Sequence, residues 1–401
     1  MKLSKIAFVF IAASAVAQAE QVSPNSAKNV ILLISDGTGI NTWKAASHFR
    51  HGALGKEVYD KFDVELFAST YPLNTSTKPT HLLKNSVKFD PKSLWNKDKS
   101  AYQHKGNLTN YTSHFSGYEY AQTDFTDSAA AATTLASGQK TYNNAINWSN
   151  NDTRIKNIGE DVVESGRSLG VIRSVQWSHA TPTEFLSHNV NRNNYAEIAQ
   201  EAVKSGRASV IMGAGHPYFD QNGKAIQPKS EKDFRFVGGK ETWENLVAGK
   251  TDYKLVNSKA DFAALAEGKL DFNGKQKILG TAPNNATLQF NQDGVTTGNL
   301  LENQPDLATT ILGALNVVSK NDKGFFTHTE KRKPSDFLRP LGLFLGIGRT
   351  YQTVFLQFLL SAHVSQFCKS TAKKACIFGK MGVIITGELV ENLLLALTGE
   401  K

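Results

Sequence analysis

The chain has 401 residues, 40% of them hydrophobic and 20% charged, with a net charge of +9. That is enough chain for a large core, and it excludes a fibrous or wholly disordered protein. The charge is local: residues 331–401 hold ten Lys/Arg against four Asp/Glu, +6 of the total. No aromatic-basic stripe or zinc-finger spacing accompanies it, so nucleic-acid binding is not expected.

Lys2 and Lys5 make a basic start, Ile6 to Val16 form a short apolar run, and Ala17-Gln18-Ala19 is a small-x-small signature before Glu20. This pattern predicts a secretory signal peptide over residues 1–19 and a periplasmic or secreted protein. The run is too short to span a bilayer. Both cysteines, Cys368 and Cys376, lie late. A thiolate metal site or a cysteine nucleophile is thereby excluded from the main body, which uses no disulfide although export permits one.

Lys28 to Gly39 is a continuous apolar run, partly β-branched, closing in Asp36-Gly. It predicts a buried parallel strand with a carboxylate at its C-terminal end, where open α/β sheets bind ligands. Residues 71–120 are polar and weakly periodic and predict a long loop or insertion. The alanine run after Ser128 predicts a helix stopped by Gly138, with Ser128 at its N-terminus. Further on, Ile158 to Ser165 predicts a helix, Ser168 to Val175 a strand and Trp177 to Pro182 a turn. Tyr195 to Ser205 predicts a helix and Ser209 to Gly213 a buried strand. Lys240 to Leu265 alternates short helices and a strand, Leu307 to Ser319 predicts an amphipathic helix, and Gly324-Phe-Phe opens a strand. The alternation predicts an α/β fold with a mostly parallel central sheet covered on both faces. After Glu330 the character changes. Phe337 to Ser361 is apolar without a clear period, and the uncharged stretch Thr350 to Cys368 is too polar for a good membrane span.

Four places carry candidate chemistry. Ser128 at a helix N-terminus faces free backbone N–H groups and positive potential, which suits an alkoxide attacking phosphate. Taken alone it reads as an ordinary N-cap. Asp36, closing a strand, suits a hard or borderline cation, though alone it reads as a turn former. His179 and Thr181, two apart in extended chain, would point to one side and share a metal or its waters. Arg192 could clamp phosphate with its planar fork.

Together these motifs resemble one family. Asp36-Gly, Thr126-Asp-Ser-Ala-Ala-Ala-Ala-Thr133, Ser137-Gly-Gln-Lys-Thr-Tyr-Asn143, His179-Ala-Thr-Pro182 with Arg192, and Lys323-Gly-Phe-Phe follow the order and rough spacing of the alkaline phosphatases, the metal-dependent kind with a phosphoserine intermediate. The resemblance runs from about Lys28 to Glu330 and is most specific around Ser128. It implies a three-layer sandwich and hydrolysis of phosphate monoesters with Zn2+ and Mg2+. It further implies that Ser128 is the nucleophile, Arg192 the phosphate-binding arginine and Asp127 the acidic neighbour that holds it. Asp36 would bridge the second zinc and the magnesium, His179 and Thr181 would be the magnesium-side pair, and Glu330 a magnesium ligand. A homodimer is common in the family.

The sequence then departs from the family. Where the family places an aspartate five residues after the glutamate and a histidine four beyond, this chain has Ser335 and Arg339. No Asp-His pair follows, and the only later histidine is His363. The first zinc site is left without ligands, and the second keeps Asp36 and Ser128. The resulting expectation is an alkaline-phosphatase-like domain over 20–330 whose C-terminal part is missing or replaced by a tail, 331–401, either translated out of frame or specific to its lineage. Two functions follow from this: a phosphomonoesterase, or an exported pseudoenzyme that binds phosphate or magnesium without turnover. A sulfatase does not fit, because residues 128–132 are Ser-Ala-Ala-Ala-Ala. Phosphodiesterases of this superfamily usually use Thr as nucleophile. No phosphate loop, dinucleotide fingerprint or Gly-x-Ser-x-Gly elbow is present.

Overall fold

The computed structural model describes residues 28–36, 40–57, 60, 64–66, 71–82, 87, 125–288, 301–332, 376–378 and 383–386; for 40–42, 64–66, 331–332, 376–378 and 383–386 it describes the backbone. The signal peptide, most of the 71–120 segment, and the tail's apolar run with His363 lie outside these residues.

In chain order the elements are β1 (Val30–Asp36), α1 (Ile40–His51), β2 (Val64–Leu66), α2 (Ser128–Ser137), α3 (Ile158–Glu164) and β3 (Ser168–Gln176). Then come α4 (Ala180–Thr183), α5 (Tyr195–Ser205), β4 (Val210–Ala214), a 3-10 helix (Glu231–Val237), α6 (Lys240–Val247), β5 (Tyr253–Val256) and α7 (Lys259–Ala266). The last are β6 (Lys277–Thr281), α8 (Leu307–Val318), β7 (Phe325–Arg332), β8 (Cys376–Phe378) and β9 (Val383–Thr386).

These strands form a nine-stranded sheet in the order β2-β8-β9-β1-β7-β3-β4-β6-β5. From β1 to β5 every pairing is parallel, and β9 joins both β1 and β8 antiparallel. The period of two along each strand divides the core. Leu32, Ile34, Leu169, Val171, Ile211, Leu279 and Phe326 face one side, against α2, α3, α5 and α6. Ile31, Ile172, Val210, Met212, Ile278 and Phe325 face the other, against α7 and α8. The result is the expected three-layer sandwich with a mostly parallel sheet. Each large apolar side chain so buried stabilises the fold by roughly 1.5–3 kcal/mol.

Three details differ from the sequence-based expectations. The stretch Trp177 to Pro182 is more than a turn: α4 begins at Ala180 after the extended N-cap His179. Pro182 is compatible with this because a helix's first turn needs no N–H from it. His179 and Thr181 therefore do not share a face of extended chain. Several elements were not anticipated: α1, which has no clean apolar stripe, β2, the 3-10 helix, and β6, a short apolar run ending in Gly-Thr. The tail supplies β8 and β9, which extend the sheet past β1. The described residues 71–82 hold no helix or strand. They are fastened by Asn150, whose Oδ1 accepts from Asn74 Nδ2 at 3.1 Å and from Thr80 N at 3.1 Å.

Candidate active site

The carboxyl ends of β1, β3 and β7 bring most of the candidate residues to one end of the sheet. Asp36 closes β1 and is 5% exposed. Across from it, α2 begins at Ser128, and its N-cap is Asp127, not Ser128. The Asp127 side chain accepts from Ala130 N at 2.9 Å and so performs the capping. Ser128 is released from that duty, and its Oγ points at Asp36 Oδ2 across a long 3.4 Å contact. The plain N-cap reading of Ser128 is thereby overturned. At its other end α2 stops at Gly138, whose φ of 73° is the left-handed cap conformation that glycine adopts most readily.

Asp127 has a second partner. Its Oδ2 accepts from Arg192 Nη1 at 2.9 Å, while Oδ1 caps the helix. Burial opposes the Arg192 charge, but Asp127 outweighs it by charge and hydrogen bond and raises the guanidinium's pKa above its usual value. The loop after α2 braces both groups: Asp127 N donates to Asn143 Oδ1 at 3.0 Å, and Arg192 N donates to Asn144 O at 2.7 Å. These asparagines lie in or next to the Ser137–Asn143 motif, whose bracing role was not evident from sequence. Arg192 Nη2 lies 3.5 Å from both ring nitrogens of His179, and the His179 ring centroid is 6.1 Å from that of Tyr195.

Beneath α2, Glu184 is fully buried. Its Oε2 accepts from Thr133 Oγ1 at 2.9 Å and from Asn147 N at 3.0 Å. Burial pushes its carboxyl well above the usual carboxylate range, and those two hydrogen bonds only partly offset the effect. Sequence reading missed this residue, because a glutamate after Thr-Pro-Thr carries no mark of burial.

The profile of the family described as "Alkaline phosphatase" matches residues 27–332. The chain belongs to the alkaline phosphatase family. Alkaline phosphatase 4 of Bacillus subtilis (strain 168) is 29% identical over 213 residues, 52% of this chain and 39% of that protein. The alkaline phosphatase of Escherichia coli (strain K12) is 26% identical over 341 residues, 78% of this chain and 61% of that one. A cold-active alkaline phosphatase from a psychrophilic Shewanella superposes with a TM-score of 0.48 at 22% identity, over 87% of this chain and 66% of that one. The chain thus spans roughly two-fifths to three-fifths of the length of these curated relatives. The family match ends at Arg332, two residues past Glu330, where the sequence changes character.

The alkaline phosphatase family is metal-dependent, and Glu330, Thr181 and Asp36 are the residues of this chain that could meet a metal. Glu330 stands in β7, 1% exposed, with Ile34 of β1 and Arg173 of β3 as its register partners. Glu330 Oε1 and Thr181 Oγ1 are both buried without a hydrogen-bond partner among the described residues. Each is an oxygen of the kind that a small hard cation takes. Zinc fits less well. No group of three or more His, Cys, Asp or Glu able to hold a metal occurs among the described residues. Among the described residues no helix is long and apolar enough to cross a membrane.

Proposed function

We propose that this chain hydrolyses phosphate monoesters through Ser128. The observation that carries the reading is the division of labour at the start of α2. Asp127 caps the helix and anchors Arg192, so Ser128 Oγ is free to react in the helix's positive N-terminal field. Arg192 and the helix N-terminus would hold the non-bridging phosphoryl oxygens, where transition-state charge spreads. Ser128 Oγ would bond to phosphorus as the bond to the ester oxygen breaks. The hydroxyl proton, directed toward Asp36, would leave with the alcohol, and water would then release phosphate from phosphoserine. A divalent cation held by Asp36, Thr181 and Glu330 would supply positive charge beside this centre. Since the contacts are to the phosphoryl group, the alcohol would matter little. The signal-like residues 1–19 support a periplasmic or secreted location, and residues 20–330 would be the functional domain.

The test is hydrolysis of a chromogenic phosphate monoester by the purified chain with Mg2+ and Zn2+ supplied, with acid-quenched protein analysed by mass spectrometry for phosphate on Ser128. Turnover with labelled Ser128 is the expected result, and a diester hydrolysed faster than the monoester would overturn it. A second reading, phosphate binding without turnover, is favoured by the sequence after Glu330, which supplies neither the Asp-His pair nor the spaced aspartate and histidine. Phosphate binding by calorimetry with no hydrolysis and no labelled serine would select it. Light scattering on the same sample would test for the homodimer.

A further inference from the structure

The arginine on β3 is a candidate that the phosphatase reading does not use. Arg173 is fully buried, and so is its partner: Arg173 Nη2 meets Glu330 Oε2 at 2.7 Å, the two side chains being 0% and 1% exposed. The two residues are direct register partners on neighbouring parallel strands. The same guanidinium reaches the turn before α4, where Nη1 donates to His179 O at 3.0 Å and also to Gln176 O. The fold makes room for it. A Cβ at Gly213, on the adjoining β4, would lie 2.8 Å from Arg173 Cγ and 3.0 Å from Cδ. The β3–β4 register also shifts between Ile172 and Gln176, beside this side chain.

We propose that Arg173 is the resident cation of the Glu330 carboxylate and the residue that positions it. It takes one carboxylate oxygen, leaves Oε1 unpaired, and ties Glu330 to the turn that carries His179 and Thr181. A charge buried this deeply must be paired, and a breached buried pair is costly, whereas removal of both charges together is often neutral. Arg173 therefore supplies in the chain itself the positive charge that a metal would otherwise bring. Folding of this domain then does not require a divalent cation, and any Mg2+ that reaches Oε1 binds beside a positive charge. The metal half of this statement rests on the reading of Glu330 as a magnesium ligand, whereas the pairing half does not.

Thermal melting of the full chain separates the two. The wild type is expected to be folded in EDTA and to gain less in melting temperature from millimolar Mg2+ than Arg173→Met does. Arg173→Met should melt lower in EDTA by roughly 5–10 °C, the shift of a broken buried pair in a domain of this size. Mg2+ should recover much of that loss. Arg173→Met/Glu330→Gln should melt near the wild type in EDTA and ignore Mg2+. The proposal is overturned if the double variant is no more stable than Arg173→Met, or if both fail to fold, since Arg173 would then act only by packing. It is likewise overturned if the wild type needs Mg2+ to fold. Recovery in the double variant without any Mg2+ effect on Arg173→Met upholds the pair and removes the magnesium role of Glu330. None of these readouts requires turnover.

Discussion

The two sides of the site are held in opposite ways. On the Ser128 side Asp127 and Arg192 are matched: Asp127 uses one oxygen on the helix and one on Arg192, and Asn143 and Asn144 accept from their backbone N–H groups. Beneath α2, Glu184 Oε1 and Asn147 Oδ1 have no hydrogen-bond partner among the described residues. On the Glu330 side two buried oxygens, Thr181 Oγ1 and Glu330 Oε1, have no hydrogen-bond partner among the described residues. A preorganised site costs little to bind its ligand, because the reorganisation is already done. A site with unmatched buried oxygens is costly to the fold until something meets them. The Asp127–Arg192 half is therefore held by the chain alone, whereas on the other half Arg173 meets one Glu330 oxygen and leaves the second without a partner among the described residues.

The largest effect is expected where the matched side does its chemistry. Ser128→Ala should reduce whatever ester hydrolysis the chain shows by at least about a thousand-fold, with phosphate binding in calorimetry nearly preserved. If hydrolysis survives, the nucleophile lies elsewhere and the comparison fails. Next comes Arg192→Ala, expected to weaken phosphate binding by roughly 10- to 100-fold through loss of charge-assisted hydrogen bonds. Arg192→Lys should recover little, because a point charge does not reproduce the fork that meets Asp127 and a phosphoryl group together.

The unmatched side predicts a change of opposite sign. Thr181→Val replaces a buried, unpartnered hydroxyl by a methyl group of the same shape. In EDTA the variant should gain about 1 kcal/mol of stability, read from the urea midpoint. A loss instead would mean that the hydroxyl has a partner in solution, and the contrast between the two halves would weaken.

Below α2, the direction of the Glu184 shift gives a pH signature. Its folded carboxyl titrates well above the ordinary value of 4.5. The folded state therefore binds the proton more tightly than the unfolded chain does. The stabilisation is complete below the unfolded value and is lost as pH rises through the folded one. Glu184→Gln should flatten that decline in a urea-midpoint series taken upward from acid pH. An unchanged slope would show that Glu184 is ionised in the native state.

The layers of the fold were legible in the sequence because strand and helix periods are local signals: β1, β3 and α8 come directly from apolar runs. Ser128 was legible from the specific stretch around it, whereas Arg192, 65 residues from its partner Asp127, was reached only through the family resemblance. Arg173 was not. It stands in an apolar strand, and only the parallel register with β7, 157 residues away, reveals its partner. Thr181 was identified for the wrong geometric reason, since extended spacing was assumed where α4 begins.

The smallest expected effect is the most discriminating, because Asp127 serves two masters. Its cap is a hydrogen bond from Ala130 N that any short acceptor can replace, since Asn caps helices about as well as Asp. Its grip on Arg192 is an ion pair that Asn cannot replace. Asp127→Asn should therefore keep the cap's share of stability, lose the share of the largely buried ion pair, and weaken phosphate binding several-fold. Asp127→Ala should show the same binding loss plus about 1 kcal/mol of lost stability from the vacated cap. If Asn and Ala variants lose stability equally, Asp127 acts through its charge on the helix and on Arg192 together, and the two roles are one. If Asp127→Asn binds phosphate as the wild type does, Arg192 is positioned by Asn144 and the loop rather than by the carboxylate. The preorganisation of the matched side would then reside in backbone.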